Sequence, residues 1–317
     1  MPKPPPESPE YSVSVVIVNY NGGNEILACL NSLQSTNTVS LEIIVVDNGS
    51  TDGSPAQVSA KFPEVKLITL EENRGFAAGC NAGIHAASGR AILLLNPDTE
   101  VVGDAVGTLY TALKQHAGWG IVGARMLNSK GQIYPAARRF PTPRDLAFQA
   151  TGLARHYFKS RYFNGYLYGE RDLETLDEVD QIEGSCLMIS EQAREAVGNL
   201  DEQFFIFFEE VDWCKRVKAA GFEIHVVNEA TVKHRISSTM SRYYDETRKI
   251  HAQSAMKFFR KHEGEAGYQK LRGTMSKALL FRAGLLLLPA LLGIPKMRKR
   301  LSGTLAERRA YKEGLAR

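Results

Sequence analysis

The runs VSVVIV (13–18), EIIVVD (42–47), VKLITL (65–70) and AILLL (91–95) decide the fold. Each has the length and the β-branched or leucine-rich content of a buried strand. Between them, Glu25 to Leu33 and Ala77 to Ala87 carry apolar residues at helical spacing. Strands alternating with helices at this rhythm predict right-handed crossovers and an α/β sheet, mostly parallel, with helices on both faces. Further strands are expected at WGIVGARML (119–127), DQIEGSCLMI (180–189) and FEIHVV (222–227). The stretch 134–178, rich in Arg, Tyr, Pro and Gly, reads as an irregular insertion, and helix is expected over 243–262.

With 317 residues, 44% of them hydrophobic, the chain can build a full core and is not a disordered protein. Its formal charge of +4 is unevenly spread: the last 48 residues hold 12 Lys and Arg against 2 Asp and Glu, so the rest is net acidic. An acidic body with a basic tail argues against a general nucleic-acid binder and for a catalytic unit whose C-terminus meets something anionic. Cys29, Cys80, Cys186 and Cys214 form no CxxC pair, which predicts neither a disulfide framework nor a cysteine zinc site and fits a reducing cytosol. The opening MPKPPPESPE has no apolar core of a secretory signal and reads as a flexible, proline-rich lead-in over 1–11. Residues 278–295 (ALLFRAGLLLLPALLGIP) are the most apolar stretch, interrupted by Arg282 and Pro289. The charge-free part makes roughly 20 Å of helix against a hydrocarbon core of about 30 Å. With Lys296, Arg298, Lys299 and Arg300 beside it, it predicts a segment lying at an anionic membrane surface; a helix packed on the domain or a dimer contact is the alternative.

Ligands of open α/β sheets bind beyond the carboxyl ends of the strands, where this chain places four polar clusters. IVNYNG (17–22) ends the first strand and VVDNGSTDGS (45–54) the second; Asp47 would project into the crevice and accept hydrogen bonds from a base or ribose. Alone, the second cluster reads better as a turn followed by a helix cap. There is no GxGxxG after the first strand and no GxxxxGK[ST], which disfavours dinucleotide redox and P-loop chemistry. In NRGFAAGCNAGI (73–84), small residues allow close approach of a flat ligand, with Asn73, Arg74 and Asn81 available to a base or phosphates. In LLLNPDTEV (93–101), Asp98 follows an apolar strand, a costly place for a carboxylate unless hydrated, capped or bound to a cation. In LDEQFFIFFEEVDWCKR (200–216), Glu209, Glu210 and Asp212 crowd together; like charges raise a pKa and suit a proton acceptor. Asp212 and Arg216 are also spaced for a plain i,i+4 helix pair.

In this order, IVNYNG, VVDNGSTDGS, NRGFAAGCNAGI, LLLNPDTEV, EGSCLMI and FFEEVDWCKR resemble the family 2 inverting glycosyltransferases of GT-A fold, over roughly residues 12–240. NPD in place of DxD makes the rhamnosyltransferase-like bacterial branch the nearest likeness. The resemblance implies a GT-A nucleotide-sugar-binding domain, followed by a helical extension over 241–317. It implies a nucleotide-sugar site from Asn19, Tyr20, Asn21, Asp47, Asn73, Arg74, Asn81 and Asn96, with Asp47 on the base. Mg²⁺ or Mn²⁺ would be held by Asp98 and by His234 in VKHRISS. Glu210 would be the catalytic base, with Glu209 a competing assignment because the family usually carries Asp there. Gly184, Ser185, Asp212 and Arg216 would serve the acceptor, and Glu209 and Asp212 would help orient its sugar. Asn96 in place of the first acid of DxD removes one anionic ligand. No QxxRW motif is present, which favours transfer of a single sugar over polymerisation.

The expected activity is transfer of L-rhamnose from dTDP-L-rhamnose to a polysaccharide or a polyprenyl-diphosphate-linked sugar, at the inner face of the cytoplasmic membrane. A UDP-hexose or UDP-N-acetylhexosamine donor is the alternative within the family. A nucleotidyltransferase, or a silent nucleotide-sugar-binding partner of a membrane complex, is the alternative outside it. The acid cluster speaks against silence, and NYNGGNEIL lacks the cationic phosphate signature of the former.

Overall fold

The computed structural model describes residues 11–35, 38–235 and 244–315. Nearly all of the proline-rich lead-in and the expected boundary at 240–241 lie outside the described residues. The four deciding runs form β1 (Val13–Asn19), β2 (Leu41–Asn48), β3 (Lys66–Leu70) and β4 (Ala91–Leu95), all parallel. They are followed by β5 (Thr99–Val102), β6 (Trp119–Leu127), β7 (Ala137–Arg138), β8 (Gln181–Ile182), β9 (Cys186–Ile189) and β10 (Glu223–His234). The main sheet is mixed, in the order β3-β2-β1-β4-β9-β6-β10-β5, and β7 and β8 form a separate ribbon. Strand order reverses between β1 and β4, which opens a crevice at their carboxyl ends.

Period-2 alternation divides the core. Val13, Val15 and Ile17 of β1 face one side, where α1 (Gly23–Leu33) and α4 (Ala105–Gln115) bring Ile26, Leu30, Val106 and Leu109. Val16 and Val18 face the other, against α3 (Phe76–Ala86) and α9 (Glu209–Ala219), which bring Cys80, Ile84, Trp213 and Val217. The remaining elements of the body are α2 (Ser54–Lys61), α5 (Pro143–Thr151), α6 (Leu153–His156), α7 (Arg161–Asn164) and α8 (Glu191–Val197). Gly79 and Gly83 of α3 lie against Val18 and Val16, where a β-carbon would come within 2.8 and 2.4 Å of their methyls; small residues there let α3 sit close on the sheet.

Several sequence expectations change. DQIEGSCLMI is not one strand: Glu183–Ser185 turn the chain, β8 pairs outward with β7, and β9 inserts antiparallel between β4 and β6. FEIHVV extends to His234 through a register shift between Val227 and Thr231. The 134–178 stretch is more regular than expected, because Thr142 and Asp145 form a capping box that starts α5. Two helices close the chain, α10 (Tyr244–Leu291) and α11 (Pro295–Glu313). Gly264 at φ 67° divides α10 into two limbs, which pack on Phe204, Phe208 and α5 through Ala255, Phe258 and Phe259.

Candidate active site

The crevice holds a cleft of about 360 Å³. One wall is Tyr20, Gly22 and Glu25 after β1; another is Asn48, Asn73, Gly75 and Phe76; the floor is Asn96, Pro97 and Asp98 after β4. Glu246, Thr247 and Ile250 from the start of α10 close it on the remaining side. No sequence signal marks those last three, which lie beyond the last motif.

The turn after β1 is built by side chains. Asn19 Nδ2 donates to Ser54 Oγ at 2.9 Å and to Asp47 Oδ1 at 3.2 Å. Asn21 is held at φ 53° and accepts from Thr51 N at 2.8 Å. Asp47 also accepts from Ser50 N at 3.2 Å and is buried, so it braces the two turns and does not line the cleft as expected. The neighbouring Asn48 lines it instead, bonded to Asn73 and to the Gly75 carbonyl, both at 3.0 Å. Arg74 is half-exposed and 3.6 Å from Glu202. Asn81, expected at the ligand, is buried and ties α3 to the Leu200 backbone through its amide and carbonyl.

At the floor, His234 Nε2 lies 3.1 Å from Asp98 Oδ1, so the extension of β10 brings together the two residues expected to share a cation. The other ring nitrogen is 2.8 Å from the Tyr134 hydroxyl, which donates to Glu183 at 3.0 Å. Glu183 in turn receives Arg138 at 3.3 Å. Burial works against protonation of His234, but the hydrogen bond and charge of Asp98, with the charges of Glu183 and Glu25, together outweigh it and raise its pKa. Glu25 is raised by burial and then by Asp98. Among the described residues no group of three or more His, Cys, Asp or Glu is gathered for a metal. The carboxylate and imidazole of Asp98 and His234 nonetheless suit a hard divalent ion that takes its other ligands from phosphates and water.

Glu209 and Glu210 open α9, where the exposed backbone amides favour negative charge. They follow Phe207 and Phe208, both left-handed at φ 69° and 68°, a strained pair of a kind that collects at functional sites. The two acids are 3% and 8% exposed, and each has a buried carboxylate oxygen, Oε2, without a partner. Burial raises both pKa values; Glu210 raises Glu209 further, whereas the Arg138 guanidinium offsets part of the effect at Glu210. Both acids lie near the buried Cys80 thiol and push its pKa up, Glu209 more than Glu210. Gly184 joins Glu210 to the cleft wall: a β-carbon there would be 3.7 Å from Glu210 Cβ and 3.3 Å from Phe76, a cleft residue, while neither acid itself lines the cleft. Ser185 is buried beneath, its carbonyl accepting from Asn96 N at 3.0 Å.

Asp212 and Arg216 are not brought to the cleft. Asp212 is fully buried and binds Arg216 at 2.8 Å and both His262 and Lys261 at 2.7 Å. Burial alone would raise its pKa, but these partners hold it at about 2. Arg216 also binds the Asn199 carbonyl at 2.8 Å and that of Val197. The pair anchors α10 to the body. Tyr134, Arg138 and Glu183 were given no role by the sequence: Tyr134 and Arg138 lie in the 134–178 stretch read as an irregular insertion, and no spacing rule joins them to the EGS motif.

The sequence profile described as Glycosyl transferase family 2 matches residues 14–180. The chain belongs to glycosyltransferase family 2. This family 2 enzyme is 31% identical over 216 residues to the low-salt glycan biosynthesis hexosyltransferase Agl10 of Haloferax volcanii, covering 67% of this chain and 63% of that one. It is 27% identical over 237 residues to the N-acetylglucosaminyl-diphospho-decaprenol L-rhamnosyltransferase of Mycobacterium tuberculosis, covering 71% of this chain and 76% of that one. The glycosyltransferase shares its GT-A fold with the mannosyltransferase PcManGT of Pyrobaculum calidifontis, solved with GDP-Man and Mn²⁺, at a TM-score of 0.55 and 17% identity over 96% of this chain and 86% of the other. It shares it also with residues 1–349 of S. aureus TarS, at 0.51 and 15% identity over 95% and 90% of the two chains.

Proposed function

We propose that this glycosyltransferase moves a single sugar, L-rhamnose from dTDP-L-rhamnose, with inversion, onto a lipid-linked or polysaccharide acceptor in cell-envelope glycan synthesis. The observation that carries the catalytic reading is the buried acid pair at the start of α9, with Glu210 next to Gly184 behind the cleft residue Phe76 and offset by Arg138. The likeness to the mycobacterial rhamnosyltransferase supports the donor and the polyprenyl-diphosphate acceptor. Work on such an acceptor would place the enzyme in the cytoplasm, at the inner face of the cytoplasmic membrane.

In this reading Glu210 takes the proton of the acceptor hydroxyl as that oxygen attacks the anomeric carbon opposite the leaving nucleoside diphosphate, which inverts the configuration. Burial makes the carboxylate a stronger base than one in water, and Arg138 favours its ionised form. Asn48, Asn73 and Tyr20 would seat the nucleotide, and Asp47 would keep the turn beneath it in shape. Asp98 and His234 would hold a divalent cation, Mg²⁺ or Mn²⁺, whose charge offsets that growing on the departing diphosphate. Tyr134 would orient the His234 ring for that contact.

A hexose donor is the second reading, supported by the hexosyltransferase at 31% identity. A donor screen decides between them: dTDP-rhamnose, UDP-glucose, UDP-galactose and UDP-N-acetylglucosamine are offered with a lipid-diphosphate sugar, and nucleoside diphosphate release is followed. Acceptor-dependent release from dTDP-rhamnose alone supports the first reading; release from a UDP-sugar alone replaces it with the second.

A further inference from the structure

The end of α10 and the start of α11 form a hairpin that the catalytic reading leaves without a task. Arg248 pairs with Glu307, and Arg308 Nε donates to the Ser276 carbonyl at 3.1 Å, so both limbs of α10 and α11 lie at one level there. The first limb begins at 244, close to that level, whereas the second runs on from Ser276 to Leu291, about 22 Å of helix. The hairpin tip therefore projects past the end of the first limb, the end where Glu246, Thr247 and Ile250 border the cleft.

The projecting tip is apolar and uncovered. Leu285, Leu287, Leu288 and Ile294 are exposed, and Leu291 and Leu292 are 70% and 72% exposed. Single exposed leucines are ordinary, but a contiguous group on a protrusion marks a surface that meets another phase or partner. Its surroundings carry one sign of charge: residues 266–306 contain eight Lys and Arg and no Asp or Glu. A second patch adjoins it, because Arg282 donates to the Ala150 carbonyl near the end of α5. Just after α6 and in α7, Tyr157, Phe158 and Tyr162 are exposed, and residues 146–169 hold three Lys and Arg and no acid. Aromatic rings interleaved with cations, beside a leucine-rich tip, match the layering of a headgroup region over acyl chains.

We propose that the α10–α11 tip and the neighbouring 155–162 segment form a docking surface for the anionic face of a lipid bilayer, with the cleft end of the molecule facing it. The tip enters without crossing. Its chain turns back at Gly293, at φ 84°, and Arg298 Nε donates to the Ala290 carbonyl at 3.0 Å to close the hairpin. Anionic lipid meets Lys296 and the basic stretch that follows it while the leucines lose their water, and an acceptor diffusing in that leaflet reaches the cleft from the docked side. The surface deepens the reading of a lipid-linked acceptor, and vesicle binding is read without turnover, so its failure would leave the transferase reading standing.

Flotation with vesicles of phosphatidylcholine alone and with added phosphatidylglycerol tests it. Wild type floats with the anionic vesicles, less with neutral ones, and less again at high salt. The pair L288E/L292E, at positions with little packing to lose, lowers vesicle binding at least about tenfold at unchanged thermal midpoint and unchanged turnover of a short-chain, water-soluble acceptor. The pair K296S/K299S weakens binding to anionic vesicles about 25-fold and leaves neutral vesicles unaffected. Absence of binding to either vesicle, or full binding by L288E/L292E, overturns the proposal. A solution dimer broken by L288E/L292E would give the face to a second copy, and resistance to carbonate extraction would mean a true span; either result also overturns it.

Discussion

Replacing Glu210 by Gln keeps the shape of the side chain and removes one ionisable group from a buried pair. A positioned general base contributes about 10²- to 10⁴-fold, so turnover should fall by that factor, roughly 3–5 kcal/mol of barrier. Stability should move the other way. Burial raises both acids of the pair, and Glu210 raises Glu209 further. A carboxyl whose folded pKa is raised contributes stability that is fully present below its unfolded value, near 4.5, and lost as pH rises through its folded value. Near pH 8 the pair is therefore a burden that Glu210→Gln relieves, so the variant should melt at or above the wild-type midpoint there, and the advantage should fade toward pH 5. Nucleoside diphosphate release at saturating donor and acceptor measures the first effect, calorimetric donor binding confirms an intact site, and scanning calorimetry across pH measures the second. Turnover within about tenfold of wild type, with donor binding retained, would refute the base assignment. A larger loss in Glu209→Gln than in Glu210→Gln would move the role to Glu209.

Asp212 gives the opposite pH signature: held at about 2 against an ordinary 3.8, it contributes stability that is present above 3.8 and lost as pH falls through about 2. Asp212→Asn should cost about 2–3 kcal/mol at neutral pH by denaturant titration, while turnover of the folded fraction stays within a few-fold; a change below about 0.5 kcal/mol would contradict the anchoring role. Asp98→Asn and His234→Ala should each raise the Mn²⁺ concentration at half-maximal thermal shift about tenfold or more, and dialysis against EDTA should stop wild-type transfer. Transfer that persists after EDTA would point to a cation-independent site.

The frame of the fold was legible because β1 and β4 are buried on both faces and advertise themselves as unbroken apolar runs. The insertion of β9 between β4 and β6 was not, because CLMI reads the same in either direction and nothing local in the sequence states its neighbours. At the site, Asp98 and the Glu209–Glu210 pair stood out because each follows an apolar run, where a polar residue needs a reason, whereas Asn96 and His234 came only from the family resemblance. Asp47 and Asn81 differ from expectation because their partners, Asn19 and the Ser50 backbone for one and Glu202 and the Leu200 backbone for the other, come from distant segments or from backbone groups that no local pattern records. Asp212 misled because His262 and Lys261 come from a helix some 50 residues later. The chain from His234 through Tyr134 and Glu183 to Arg138 joins three separate segments and exists only once β7, β8 and β10 are assembled.

The most direct measurement is the identity and anomeric configuration of the sugar that the purified protein adds to a polyprenyl-diphosphate-linked acceptor, read by mass spectrometry and NMR with dTDP-L-rhamnose and a divalent cation present. The account predicts one added rhamnosyl unit per acceptor, of configuration opposite to the donor, absent with Glu210→Gln. Retention of configuration, a chain of several added sugars, or an equal product from Glu210→Gln would contradict it.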